Sequence, residues 1–105
     1  MSRAQRGEIW LMDLGMVAKT RPVLILSVAY IEQERALVTF IPRTTSVRGT
    51  RFEVPHAGRG FDSGAFDAQG IATVPAVQLV RRLGVIDGPT LGQIELAVKR
   101  WLGLP

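Results

Sequence analysis

The sequence predicts a mainly β domain with a C-terminal helix, in which an antiparallel sheet bends strongly or closes into a small barrel. Runs rich in β-branched, aromatic and leucine residues recur at short intervals through the first half of the chain. The gaps between these runs are too short for the crossovers that parallel strands need. One amphipathic segment near the C terminus has the length and spacing of a helix.

The strand predictions follow from these runs and from the glycine, proline and polar residues that bound them. Residues 29–35 are short and charged, and are expected to form one or two helical turns. Residues 56–70 are rich in glycine and predict a loop, and Pro75 marks an edge or bulge in the strand that follows. The strands are predicted at residues 8–14, 22–28, 36–41, 51–54, 71–80 and 83–86.

A helix is predicted over residues 90–102. Thr90 and Gln93 have the spacing of a capping box, and Gly103 supplies a stop. Trp101 is expected to be a core or interface anchor, since it shares one helix face with other apolar residues. That face consists of Leu91, Ile94, Ala97, Val98, Trp101 and Leu102.

Length and composition limit the class of protein. A chain of 105 residues predicts one domain, residues 1–105. The sequence has no cysteine and a single histidine, so it predicts no disulfide, no metal site and no cofactor. The N-terminal residues lack an apolar leader and no apolar run is long enough to span a membrane, which predicts a soluble, cytoplasmic protein.

Positive charge is concentrated in the first half of the chain. Residues 1–52 contain eight Lys and Arg against four Asp and Glu, whereas residues 53–105 contain five of each class. A basic half favours a polyanionic partner, with nucleic acid first. The alternative is a basic surface that serves solubility alone.

Arg21 directly precedes Pro22 at the start of the second predicted strand. The proline ring favours extended geometry at Arg21 and fixes the direction of the chain. The guanidinium has five donors in a fork that suits a phosphate. The alternative interpretation is an exposed arginine at the end of a strand.

Hydroxyl side chains follow the third predicted strand in the segment IPRTTS, residues 41–46. At a strand end, Thr44 and its neighbours could present hydroxyls and backbone N–H groups to a phosphoryl oxygen. Ser and Thr also favour ordinary turns, because they bond to their own backbone. Whether Arg21 and Thr44 meet depends on the strand register, which the sequence leaves open.

Other candidate groups have simpler interpretations. His56 is interpreted as a satisfied or exposed loop histidine, since a two-histidine ribonuclease needs a second one. Glu8, Asp13 and Glu53 are possible general bases, but carboxylates in strands are more often solvated or paired. Residues 58–70 lack the order of a phosphate-binding loop and predict a flap.

The chain contains the segments RGEIWLMDL at 6–14, KTRPVLILS at 19–27, TFIPRTTS at 39–46 and VQLVRRLG at 77–84, in this order. Together they resemble the MazF/PemK family of toxin endoribonucleases. The resemblance implies an SH3-like antiparallel barrel of the PemK/CcdB kind, a homodimer and a cognate antitoxin. It also implies cleavage of single-stranded RNA without metal, by attack of the 2′-hydroxyl, leaving a 2′,3′-cyclic phosphate and a 5′-hydroxyl.

The resemblance implies that Arg21 and Thr44 are catalytic. Arginine keeps its charge in proteins, so Arg21 would stabilise the charge of the phosphorane and bond the leaving oxygen, while Thr44 would donate a neutral hydrogen bond. The general base is left unassigned. Further RNA contacts are expected from Lys19, Thr20, Arg43, Thr45, Ser46, Arg48, Arg51 and Gln78.

The chain departs from some family members in two regions. The connection after the first strand is short and lacks a histidine used by some relatives. Pro75 and Val77 stand where some members have an arginine and an aspartate. Two alternatives follow: a toxin of the same fold that binds a protein such as gyrase without catalysis, and a degenerate member that binds RNA without cutting it. The combination of Arg21 with Thr44 favours cleavage.

Overall fold

The computed structural model describes residues 3–15 and 19–105. These residues form strands, two short 3-10 turns and a C-terminal helix, α1, at Gly88–Leu102. The 3-10 turns lie at Ala68–Gly70 and Ala76–Gln78. The strands are β1 Glu8–Asp13, β2 Thr20–Ile25, β3 Leu37–Thr44, β4 Glu53–His56, β5 Gly64–Asp67, β6 Ala72–Pro75 and β7 Leu79–Val85.

The described strands form one antiparallel sheet in the order β4-β5-β3-β2-β1-β7. The long strand β3 pairs with β2 on one side, and on the other side with β6 along its first half and β5 at its end. This division bends the sheet. The prediction of a mainly β fold with one C-terminal helix is confirmed, but the barrel is open, because no hydrogen-bonded ladder joins the outer strands β4 and β7.

The sheet has a hydrophobic cluster on each face. One cluster lies between the sheet and α1 and includes Leu24, Phe66 and Ile94, all fully buried. The other cluster lies on the opposite face and includes Met12, Val23 and Ile25. Alternation along β2 therefore sends Leu24 to one core and its two neighbours to the other.

Two strands extend beyond their predicted ends. Strand β2 begins at Thr20, so Arg21 and Pro22 lie within it, and β3 continues to Thr44. The prediction of helical turns at residues 29–35 is wrong, since this connection forms a turn. Its side chains bond the backbone locally: the Glu34 carboxylate accepts from the N–H of Ile31 at 2.9 Å. Such bonds compete with helix formation.

The glycine-rich region contains a strand that the sequence did not reveal. Strand β5, Gly64–Asp67, occupies part of the predicted loop, and β4 is displaced by two residues from its predicted range. Gly64 is required by close packing: a Cβ atom there would lie 2.5 Å from the carbonyl oxygen of Thr44. After Pro75 the chain makes a 3-10 turn, and β7 combines the end of one predicted strand with the next.

Helix α1 begins two residues before its predicted start. Asp87 is the N-cap, where its carboxylate accepts from the N–H of Thr90, and the predicted capping role of Thr90 is corrected. Pro89 occupies the first turn, and Gly103 ends the helix with φ of 70°. Trp101 packs edge-on against Phe52, with 5.3 Å between ring centroids.

Among the described residues, no helix has both the length and the apolar character needed to cross a membrane.

Candidate active site

The β2–β3 hairpin brings Arg21 and Thr44 to the same open end, where both line the same clefts. The two strands pair Ile25 with Phe40 and Val23 with Pro42. Pro22 has no N–H to extend the ladder, so the hairpin opens at this end. The sequence left open whether Arg21 and Thr44 meet, and their shared position in the clefts brings them together.

Two adjoining clefts lie at this open end of the hairpin, with volumes of about 340 and 290 Å³. Arg21, Thr44 and Ser46 line both clefts and therefore lie between them. The first cleft is also lined by Pro22, Arg43, Thr45, Gly60, Phe61 and Asp62. The second is also lined by Pro42, Arg48, Thr50, Glu53, Asp67 and Gln69.

The Thr44 hydroxyl is oriented by its own turn. Its Oγ1 accepts a hydrogen bond from the N–H of Ser46 at 3.0 Å. A hydroxyl has one hydrogen and two lone pairs, so this contact leaves the hydrogen for donation to a ligand. Arg21 is exposed and lines the same clefts. The pair can therefore present a cation and a neutral donor to one anionic group.

Glu53 shapes the turn that carries Arg48. Its carboxylate accepts from the N–H of Arg48 at 3.1 Å and from that of Thr50 at 2.9 Å. These bonds lower the pKa of Glu53, against a small opposing effect of burial. The carboxylate is therefore a paired structural group, in line with the paired alternative given above.

Glu8 and Asp13 also have hydrogen-bond partners. Burial alone would raise the pKa of Glu8, but bonds from Gln5 and Trp10 and the charge of Arg82 lower it overall. The Arg82 guanidinium donates to the Glu8 carboxylate at 2.9 Å. Asp13 accepts from a backbone N–H within its own turn. Neither carboxylate lines the two clefts.

Arg43 is a buried residue of β3. Its side chain is only 5% exposed, and its Nε donates to Nδ1 of His56 at 2.9 Å. Its Nη2 donates to the backbone carbonyls of His56, at 2.7 Å, and of Asp62. Burial lowers the pKa of Arg43 and the Asp62 charge opposes this, yet arginine remains charged in proteins. Arg43 lines the first cleft, but its guanidinium is bonded to groups inside the protein, so its predicted contact with RNA stays a prediction.

His56 is a satisfied histidine, as predicted, but it lies at the end of β4. Its Nδ1 accepts the Arg43 hydrogen bond, so the neutral ring carries its hydrogen on Nε2. Burial and the Arg43 charge lower the pKa of His56, while Asp87 acts in the opposite direction. The ring packs against Phe61 and Phe66, with centroid distances of 5.3 and 5.0 Å.

The remaining predicted RNA contacts divide into three groups. Lys19 and Thr20 are exposed and directly precede Arg21, and Lys19 adopts a left-handed conformation with φ of 55°. Thr45, Ser46 and Arg48 line the clefts, as given above. Arg51 and Gln78 do not line them. The Arg51 guanidinium lies over the Phe52 ring at 4.6 Å, near α1, and Gln78 lies in the turn before β7.

Sequence reasoning missed the contribution of the glycine-rich region to the clefts. Phe61 and Asp62 line the first cleft, and Asp67 and Gln69 line the second. The hydrophobic residues of β5 are flanked by glycine and aspartate, which are typical of loops and conceal a short strand. In the sequence, the indication that this region contributes to a site was its interpretation as a flap.

Residues 5–102 match the family of PemK-like, MazF-like toxins of type II toxin–antitoxin systems. Because the match covers nearly the whole chain, this protein belongs to that family. The resemblance drawn from the four segments is therefore confirmed.

Solved structures agree with this assignment. An endoribonuclease in complex with its cognate antitoxin, from Mycobacterial species, is 28% identical over 97% of this chain and 97% of that one, with a TM-score of 0.84. The Mycobacterium tuberculosis toxin MazF-mt6 is 28% identical over 93% of this chain and 98% of its own, with a TM-score of 0.80. MazE-MazF from Deinococcus radiodurans, 20% identical over 100% of both chains, shares the fold with a TM-score of 0.84.

Proposed function

We propose that this toxin is an endoribonuclease that cleaves single-stranded RNA without a metal ion. The observation that carries the proposal is that Arg21 and Thr44 both line two adjoining clefts. An always-charged fork beside an oriented hydroxyl suits a phosphate whose charge rises during reaction. The names of two relatives at 28% identity, an endoribonuclease and a MazF toxin, support the same activity.

In the proposed reaction, the 2′-oxygen of a ribose attacks the adjacent phosphorus. The 2′-hydroxyl proton passes to a base, the bond from phosphorus to the 5′-oxygen breaks, and that oxygen takes up a proton. The products are a 2′,3′-cyclic phosphate and a 5′-hydroxyl. Arg21 would stabilise the non-bridging oxygens of the phosphorane, and Thr44 would donate to the same group of oxygens.

The RNA strand is proposed to follow the two clefts. Lys19 and Arg48 would attract its phosphates, a salt-sensitive contact that orients the strand without reading its sequence. Thr20, Thr45 and Ser46 would donate hydrogen bonds along the same path. Arg51 and Gln78 lie outside the clefts and are left out of the proposed path.

The toxin is proposed to act in the cytoplasm as a homodimer that a cognate antitoxin holds inactive. One relative at 28% identity was solved in complex with its cognate antitoxin. For the dimer, β7 is an outer strand of the sheet; Val80 on this strand is 52% exposed, and Val77 in the turn before it is 87% exposed. An unpaired edge with exposed apolar residues is a surface that a second copy can cover.

The test is a cleavage assay on labelled single-stranded RNAs of varied sequence with EDTA present. Wild type should produce cyclic phosphate ends, and Arg21→Ala and Thr44→Ala should each be slower by on the order of 10²- to 10³-fold. Arg35→Ala is the matched control, because Arg35 is exposed in the connection at the opposite end of the β2–β3 hairpin.

Two results would contradict the proposal. Folded wild-type protein that leaves every RNA intact would favour the non-catalytic binding toxin. Cleavage that stops in EDTA and returns with a divalent cation would reject the metal-independent reaction.

A further inference from the structure

The loop of residues 57–63 forms one wall of the first cleft. It connects β4 to β5 and brings Gly60, Phe61 and Asp62 beside Arg21 and Thr44. The position of this loop therefore sets the shape of the space in which Arg21 and Thr44 meet a ligand.

Asp62 places a carboxylate in this wall, and its hydrogen bonding differs from that of the other carboxylates that line the clefts. Glu53 and Asp67 both line the second cleft, and both accept hydrogen bonds from backbone N–H groups. Within residues 3–15 and 19–105, the Asp62 carboxylate has no such bond, and only its backbone carbonyl is engaged. Moving the loop would move this charge relative to Arg21.

One buried guanidinium fastens the loop. Arg43 extends from β3, donates to the ring and carbonyl of His56 at the end of β4, and donates to the carbonyl of Asp62 in the loop. Its guanidinium also lies 5.1 Å from the centre of the Phe61 ring. Arg43 directly follows Pro42 and precedes Thr44, so the same strand holds the loop and the catalytic hydroxyl.

His56 completes the attachment. The loop packs so closely on the ring that a Cβ atom at Gly58 would lie 2.8 Å from Nε2 of His56. Phe61 contacts the same ring edge-on. The Nδ1 atom must be unprotonated to accept the Arg43 bond.

We propose that Arg43 and neutral His56 are positioning residues that hold the loop of residues 57–63 closed as a wall of the Arg21–Thr44 cleft. This inference rests on the proposed endoribonuclease function for its effect on activity, whereas the attachment of the loop can be measured without RNA. As positioning residues, Arg43 and His56 do not contact the reacting atoms.

Acid should release the loop. A protonated His56 would lose the Nδ1 acceptor and place a second positive charge against Arg43. Because burial and Arg43 lower the pKa of His56 below its ordinary value of 6.5, the neutral ring persists at neutral pH and is lost as pH falls through the lowered value. Asp87 favours the protonated ring, and the Asp62 charge acts on Arg43.

The first experiment measures amide hydrogen exchange of residues 57–63 in the full chain, without RNA. Arg43→Leu and His56→Leu remove one partner each, and both should exchange about tenfold faster or more in this loop, since charge-assisted hydrogen bonds are lost. Arg35→Leu removes an exposed charge far from the cleft and should match wild type. Unchanged loop exchange in a folded Arg43→Leu protein would overturn the proposal.

The second experiment measures cleavage by the same variants. A displaced wall should lower kcat by about 10²-fold while RNA affinity changes much less. A faster-exchanging loop with wild-type kcat would overturn the positioning role. If wild type itself cuts no RNA, the proposed function fails on that result alone, and loop exchange still decides whether Arg43 and His56 hold the loop.

The third experiment compares wild type with His56→Asn and leaves the buried Arg43 unchanged. His56→Asn offers an amide oxygen near the position of Nδ1 but does not titrate in this range. As pH is lowered stepwise from about 7.5 to about 4, wild type should lose more loop protection and more cleavage rate than His56→Asn, because the lowered pKa of His56 lies within the acid range. Equal acid dependence in the two proteins would overturn the proposal. Because neither protein carries a substitution at Arg43, this result decides the proposal even if Arg43→Leu does not fold.

Discussion

Arg21 and Thr44 lie on neighbouring strands, and each is positioned by a residue one or two places along the chain. Pro22 fixes the backbone after Arg21 and ends the ladder, which leaves room for the guanidinium at the open end of the hairpin. The N–H of Ser46 orients the Thr44 hydroxyl. At the scale of single residues, the candidate site therefore depends on short-range bonds that point two different donors into one cleft.

Thr44 can be tested by separating its hydroxyl from its volume. Thr44→Val keeps the shape and should lower the cleavage rate by on the order of 10²- to 10³-fold, whereas Thr44→Ser keeps the donor and should lose much less. Thr73→Val is the control, since that exposed threonine on β6 contacts Thr39 and not the cleft. Single-turnover kinetics would measure the rates, and equal rates for Thr44→Val and wild type would remove Thr44 from the mechanism.

Gly64 should tolerate no side chain. Its Cβ atom would lie 2.5 Å from a backbone oxygen, so Gly64→Ala should lower the free energy of unfolding by about 1–3 kcal/mol through overpacking. Gly92→Ala is the matched control: no atom lies within 4 Å of a Cβ there, and alanine in a helix should stabilise by about 0.5–1 kcal/mol. Urea denaturation measures both, and a neutral Gly64→Ala would contradict the packing of β5 against β3.

At the scale of elements, α1 covers one face of the sheet, and Asp87 caps its N terminus. The Asp87 carboxylate accepts from both the N–H and the hydroxyl of Thr90 at 2.9 and 2.8 Å. These bonds lower the pKa of Asp87. Ile94 and Ala97 then bury the helix against the sheet.

Replacing this cap should destabilise the fold in a pH-dependent manner. Asp87→Ala should lower the unfolding midpoint temperature by several degrees, and Asp87→Asn, which keeps an acceptor, by less. Because the folded-state pKa is lowered, the contribution of the charge is present above the ordinary value of about 3.8 and is lost as pH falls below it. Thermal unfolding at pH 7 and pH 3 checks this, and a difference that grows toward pH 3 would contradict it.

At the scale of the whole molecule, the two faces of the sheet differ. Helix α1 covers one cluster, whereas Val80 on the outer strand β7 and Val77 in the turn before it remain exposed. The clefts and their basic residues lie at the open end of the β2–β3 hairpin.

The dimer proposed for this surface can be broken by charge. Val77→Asp with Val80→Asp should shift the protein from dimer to monomer at micromolar concentration, because burying two carboxylates is costly. Leu96→Asp on the exposed side of α1, where Leu96 is 54% exposed, should leave the mass unchanged. Light scattering after size exclusion measures the mass, and a monomeric wild type would reject the dimer.

Several elements could be predicted because local patterns determine them. The runs at residues 8–14 and 36–41 correspond closely to β1 and β3, and the helical spacing after Thr90 corresponds to α1. Strand β5 and the turn at residues 32–33 could not be predicted in this way. The conformation of β5 depends on contacts with distant residues, such as that of Gly64 with Thr44, whereas the turn is stabilised by a side-chain bond between Glu34 and the backbone of Ile31.

The sequence by itself determined the mainly β class, the C-terminal helix, the family and the pairing of Arg21 with Thr44 as candidates, since these follow from local periodicity and from ordered motifs. The tertiary structure alone decided that these two residues line the same two clefts, because strand register and packing depend on contacts between separated segments. It also decided that Arg43 is buried against His56 and Asp62 while Arg48 lines a cleft. The two arginines are five residues apart in one basic, hydroxyl-rich segment, and the packing of β4, β5 and their loop distinguishes the buried cation from the exposed one.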